Sequence, residues 1–155
     1  VDAAEVDDVV IGCVLSAGTA GMNLARNALL AAGLPATVAG QTMDRQCASG
    51  LMAIATAAKQ VIVDGMDVVV AGGHDSISAV QEAYMAWIAK ERDPNVIAYA
   101  PKAYLPMLQT AEFVAKKYGI SRDAQDRYTL ESQRRTERRR LRAALTPRSL
   151  PSPRP

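Results

Sequence analysis

The sequence predicts an α/β fold with a parallel or mixed sheet. Three short apolar runs, VVIGCVL, ATVAGQT and DVVVAGG, are each bounded by Gly, Asp or Pro. Helical periodicity fills the intervals between them, and strand, helix, strand, helix, strand is the order of parallel crossovers. With 49% apolar residues but a single Phe among 155, the core is read as closely packed Ala, Val, Leu and Ile.

Residues 9–15 form the first predicted strand, and their continuous apolar run suits burial on both faces. A glycine-rich stretch, SAGTAGM, follows, and a helix over residues 23–32 shows Leu24, Ala28 and Ala31 or Ala32 on one side. Gly33 occupies the position that closes a helix, and Pro35 prevents continuation. The second strand, residues 36–42, leads into the turn that carries Cys47. From Ser49 a small-residue helix presents Leu51, Ile54, Ala58 and Val61 at spacings of three and four, and its other alanines predict a helix buried on most sides. Gly65 ends it, and residues 67–72 are the third strand.

After residue 78 the grammar changes. Tyr84, Trp87, Tyr99 and Tyr104 enter together with Pro94, Pro101 and Pro106, and a helix over residues 80–89 gives way to loop. Thr110 is read as the cap of a helix ending at Gly119, and Ser121 as the cap of another that carries Tyr128. Beyond Gln133 an arginine cluster and four prolines in the last nine residues cannot bury enough apolar surface to order themselves. The domain expectation is residues 1–78, residues 79–133, and an Arg/Pro-rich disordered tail at 134–155.

Charge divides along the same line. Residues 1–133 hold 10 Lys and Arg against 15 Asp and Glu, whereas residues 134–155 hold 8 Arg against one Glu. The acidic body argues against nucleic acid as a partner, which leaves a basic-tail nucleic-acid binder as an alternative confined to the tail. No CxxC or Cys/His spacing occurs, so no metal site or disulfide framework is expected. The acidic start VDAAEVDD is unlike a presequence, and no apolar run approaches the length of a membrane span. A reducing, cytoplasmic setting and no membrane association follow as expectations.

Chemistry concentrates at Cys47. A thiol at the first turn of a helix faces unpaired N–H groups and the positive end of the dipole, a setting that favours a nucleophile. Cys13, inside an apolar run, is read as a small buried hydrophobe. His74, the one histidine, follows the third strand and is weighed as a base for Cys47, but nothing in the spacing fixes the pair. SAGTAGM lacks the glycine and lysine spacing of a phosphate cradle.

Three blocks then carry a resemblance to the thiolase family of acetyl-CoA acetyltransferases and acyltransferases. They are DDVVIGCVLSAG, QCASGLMAIATAA with VVVAGGHDSIS, and PMLQTAEFVAKKYGISRDAQDRYTLESQRRT. The third separates thiolases from the related ketoacyl synthases. The resemblance implies a thiolase-like N-terminal domain with a buried helix over residues 1–78, the start of a helical loop domain over 79–133, and an incomplete fold. It implies Cys47 as the acylated catalytic nucleophile, with its N–H in an oxyanion hole, and Met107 as a residue beside the acyl-CoA. Acetyl-CoA and other acyl-CoA thioesters enter as substrates with no further cofactor, and intact members form homo-oligomers. The family's Gly-His-Pro motif and second, acid/base Cys are missing from this sequence, and the resemblance assigns no role to His74. Pro106 replaces the His that precedes the Met in short-chain members. Where members continue with an Ala-rich run, this chain turns to Arg and Pro, which fits a shifted reading frame near Thr136. Little or no turnover is therefore expected of this chain alone, and its alternative role is a non-enzymatic fragment acting by association.

Overall fold

A computed structural model describes residues 1–141 and divides the chain into two compact units, Val1–Asp93 and Pro94 onward. In the first unit, strands β1 (Asp8–Gly12), β2 (Ala39–Met43) and β3 (Val69–Gly73) form a sheet in the order β2-β1-β3. Both pairings are parallel, with Gly12 opposite Met43 on one side and Gly73 on the other. All three strands therefore end together, at the edge where Cys13, Cys47 and His74 follow.

The central strand is buried on both faces, as its unbroken apolar run requires. Val9 packs with Ala25 and Leu29 of helix α1 (Leu24–Ala31) and with Val38. Val10, pointing the other way, packs with Ala53 and Ala57 of helix α2 (Ser49–Lys59). Alternation along one strand thus glues a helix to each face. Asn23 caps α1 by accepting from Arg26 N, while its Nδ2 donates to the Gly40 carbonyl and so ties the helix to β2. The Arg26 guanidinium donates to the carbonyls of Val38 and Ala36.

Two helix faces differ from those the periodicity predicts. On α1 the buried residues are Ala25 and Leu29, one position along from Leu24 and Ala28. On α2 the buried face is Ser49, Ala53 and Ala57, and Leu51, Ile54, Ala58 and Val61 lie exposed, so burial on most sides is not what the helix shows. Close approach to the sheet explains the choice. A methyl group at Gly12 would lie 2.2 Å from the Ser49 carbonyl carbon, and one at Gly73 would lie 3.0 Å from the Gly50 Cα. Only the small-residue face can sit so near a strand. Beyond Lys59 the helix widens into a π-helical segment, Gln60–Asp64, and stops at Gly65 in the left-handed conformation. Gln60 Nε2 donates to the buried Asp8 carboxylate at 2.7 Å, which fixes this end of the helix to the start of β1.

The expectation of no spanning-length apolar run needs correction. Gln46–Asp64, 19 residues with a mean hydropathy of 1.2, is long and apolar enough to cross a membrane by length and composition. Here it is the helix packed on the sheet through its alanines.

Helix α3 (Ile77–Lys90) closes the first unit, and its Val80 is buried against the turn at Gly18–Ala20. That contact keeps α3 with the first compact unit, which runs to Asp93. The second unit contains α4 (Pro94–Tyr99), α5 (Met107–Tyr118) and α6 (Arg122–Leu141). Thr110 does not cap α5, which starts three residues earlier; its hydroxyl donates back to the Pro106 carbonyl. Gly119 ends α5 in the left-handed conformation, and Ser121 Oγ accepts from Ala124 N as the expected cap of α6. Helix α6 runs eight residues into the segment expected to lack order. Arg135 and Arg138 both reach Glu131 at 3.0 Å, and same-face pairs of this kind support an exposed helix. The rest of the expected tail, residues 142–155, lies outside the described residues.

Candidate active site

Cys47 sits on a tight turn between the end of β2 and the start of α2. It is exposed, and it precedes the N-cap residue Ala48 rather than lying inside the first helical turn. The turn is braced by its own side chains. Ser49 Oγ accepts from Arg45 N at 2.8 Å and donates to the Gln46 carbonyl at 2.6 Å, and Asp44 Oδ1 accepts from Gln46 N at 2.7 Å. The amides of Ala48 and Ser49 donate to the carbonyls of Arg45 and Gln46. The Cys47 N–H is left as the amide with no partner inside the turn. Gln46 adopts a φ of 49°, a left-handed conformation that a non-glycine residue holds only where surrounding contacts enforce it. Its effect is to reverse the chain sharply, so that the next side chain, Cys47, stands at the apex.

Beneath the turn, Gly12, Gly50 and Gly73 let α2 rest directly on the ends of β1 and β3. Ser49 is 3% exposed, so the brace lies in the core while the thiol stays in solvent. The thiol is therefore fixed at the carboxyl end of a parallel sheet, where α/β folds place their chemistry.

The other sulfur behaves differently. Cys13 is fully buried, and its thiol pKa is pushed up to about 11, first by burial and then by a hydrogen bond to, and the charge of, the Asp75 carboxylate. Asp75 Oδ1 also accepts from the backbone N–H groups of Val14, at 3.0 Å, and Leu15, at 2.8 Å. One carboxylate thus clamps the loop leaving β1 to the end of β3. Cys13 is a structural thiol.

His74 is exposed at the end of β3; its backbone N–H donates to the Gly12 carbonyl, and no hydrogen bond joins its side chain to Cys47. Met107 is the first residue of α5 in the second unit and is exposed. Among the described residues no group of three His, Cys, Asp or Glu side chains converges to hold a metal. Sequence reasoning missed Asp44, Ser49 and Asp75. A signal existed for Asp44 alone, since Asp two residues ahead of a reversal commonly accepts from that residue's N–H.

Both the sequence and the fold match known proteins. Residues 1–144 match a family model described as thiolase, N-terminal domain. A 3-ketoacyl-CoA thiolase of Bacillus subtilis is 42% identical over 129 residues, covering 82% of this chain and 32% of the relative. One from Acinetobacter baumannii is 39% identical over 134 residues, covering 86% of this chain and 33% of its own length. A crystal structure of the Bacillus anthracis acetyl-CoA acetyltransferase superposes with a TM-score of 0.70 at 30% identity, covering all of this chain and 42% of that one. The chain spans about a third of the length of the curated relatives it matches.

Proposed function

The chain belongs to the thiolase family through its N-terminal domain, and on that premise we propose that it carries the nucleophile half of an acyl transfer between coenzyme A thioesters. The observation that supports this most directly is the exposed Cys47 thiol, standing at the apex of a self-braced turn at the carboxyl end of the sheet. The Cys47 thiolate adds to the thioester carbonyl of an acyl-CoA. The resulting oxyanion accepts a hydrogen bond from the Cys47 N–H, and the bond from carbonyl carbon to CoA sulfur breaks. The acyl group remains on Cys47, and the CoA thiolate leaves and takes up a proton. Attack by a second thiol, or by a carbon nucleophile in a Claisen condensation, then frees the enzyme. Met107, exposed at the start of α5, is the proposed contact to the acyl-CoA. A free nucleophilic thiol suits a reducing compartment, which supports the cytoplasm as its location.

No side chain of the described residues hydrogen-bonds the Cys47 thiol, so acylation of Cys47 is the step that these residues carry. Incubation with acetyl-CoA, followed by intact and peptide mass spectrometry, should find an acetyl group on Cys47 that is absent in Cys47→Ala. An adduct on Cys13, or none at all, would overturn the assignment.

The exposed apolar face of α2 favours a second reading, in which the chain acts by association. Leu51 is 73% and Ile62 80% exposed, and Ile54 and Val61 extend the same surface. Patches of this kind mark interfaces. Sedimentation velocity should then show self-association that Leu51→Lys and Ile54→Lys abolish, and a monomer at all concentrations removes the reading.

A further inference from the structure

The C-terminal half of α6 carries an uncompensated positive charge that acyl transfer does not use. Between Arg134 and Leu141 the helix holds five arginines and one acid, Glu137, and none of its residues is buried. Glu131 pairs with Arg135 and Arg138. Arg134, Arg139 and Arg140 have no carboxylate partner among the described residues. Arg134 and Arg138 stand one turn apart, as do Arg135 and Arg139, and each pair spans about 6 Å along the axis. The two rows lie side by side on one face, so four guanidinium groups can meet a run of regularly spaced anions. Arg142, Arg148 and Arg154 add further positive charge along the sequence.

We propose that this arginine face binds duplex nucleic acid through its phosphate backbone, without regard to sequence. The chemistry selects this partner over other polyanions. All the basic residues from 134 onward are Arg and none is Lys, and the planar guanidinium fork matches phosphate oxygens two at a time. A helix that enters a membrane surface needs an apolar face, and between Arg134 and Leu141 the only large apolar residue is Leu141 itself. Single-strand binders stack bases on aromatic rings, and no aromatic residue follows Tyr128. What remains is a rigid, periodic phosphate lattice. The acidic body opposes binding, which keeps affinity in the micromolar range typical of non-specific contacts.

Salt dependence reads out the number of phosphates engaged. Four arginines give a slope of about −3.6 in log affinity against log salt, so affinity should fall by roughly 150-fold between 50 and 200 mM salt. The probe is a fluorescein-labelled 20-base-pair DNA duplex, titrated with the full chain and followed by anisotropy. Replacing Arg134 and Arg139 together by Gln should lower the slope by about 1.8 and weaken binding at least tenfold at 50 mM salt. The corresponding Lys replacements should keep the slope. Glu131→Gln, which frees Arg135 and Arg138, should tighten binding. Circular dichroism of each variant checks that α6 is intact. Binding unchanged by the two Gln replacements overturns the proposal, as does binding to phosphatidylserine vesicles that equals or exceeds binding to the duplex.

Discussion

Replacing Gly12 by alanine puts a methyl carbon 2.2 Å from the Ser49 carbonyl carbon, 2.3 Å from its oxygen and 2.5 Å from Gly50 N. All three are backbone atoms, so no rotamer change can relieve the clash. Carbon atoms settle at about 3.5–4.0 Å, and relief therefore requires α2 to lift from the sheet by roughly 1 Å or more. Overpacking of this kind costs about 1–3 kcal/mol, and a clash with backbone alone belongs at the upper end. Moving Ser49 also disturbs its hydrogen bonds to Arg45 and Gln46, which hold the Cys47 turn. Urea denaturation should show a loss of about 3 kcal/mol for Gly12→Ala, and alkylation of Cys47 by iodoacetamide should change in rate. Gly72→Ala is the matched control: it lies in β3 one residue from Gly73, and a methyl group there meets nothing within 4 Å. Its stability should stay within about 0.5 kcal/mol of the parent, as is usual for a substitution that meets no such feature. If Gly12→Ala and Gly72→Ala prove equally stable, glycine-mediated contact is not what sets the height of α2 above the sheet.

Two further predictions concern the buried thiol. Cys13 has a folded-state pKa of about 11 against 9.0 when unconstrained, so the folded state holds this proton more tightly. The associated stability is complete below pH 9 and is lost as pH rises toward 11. About 2 kcal/mol should be gone by pH 10.5, measured as the difference between the parent and Cys13→Ala in urea midpoints across that range. Asp75→Asn removes the carboxylate that Cys13, Val14 and Leu15 share, and should cost about 1.5–3 kcal/mol. In a Cys47→Ala background, the ultraviolet absorbance of the thiolate should then report a lower midpoint for Cys13. It should remain above 9.0 because burial is the first cause of the shift. An unchanged midpoint would show that Asp75 does not act on this thiol.

The parts of the fold that can be read from residue type alone are those governed by local rules. The apolar run at Val9 and Val10 specifies a strand buried on both faces, Gly65 and Gly119 stop helices in the left-handed conformation, and Ser121 caps α6. The α2 face is misread for a physical reason. Periodicity sorts residues by hydrophobicity and therefore turns Leu51 and Ile54 inward, yet here the distance of approach decides. With glycine at 12, 50 and 73, the helix comes so near the strands that Ser49, Ala53 and Ala57 fit and leucine does not. The same glycines explain why Cys47 could be named from the sequence while its supports could not. The proposed nucleophile is marked by its position before a helix, a local feature. Ser49 and Asp75 act across contacts that exist only once the three strand ends are aligned. The arginine helix fails in the opposite direction. Composition over residues 134–155 averages a proline-rich end with a stretch that has no proline before residue 147, so the mean describes neither. Read alone, residues 134–141 continue the helical register of α6, with Glu131 as the anchor of two arginines. Their ordered charge, rather than the net charge of the tail, is what a polyanion would meet.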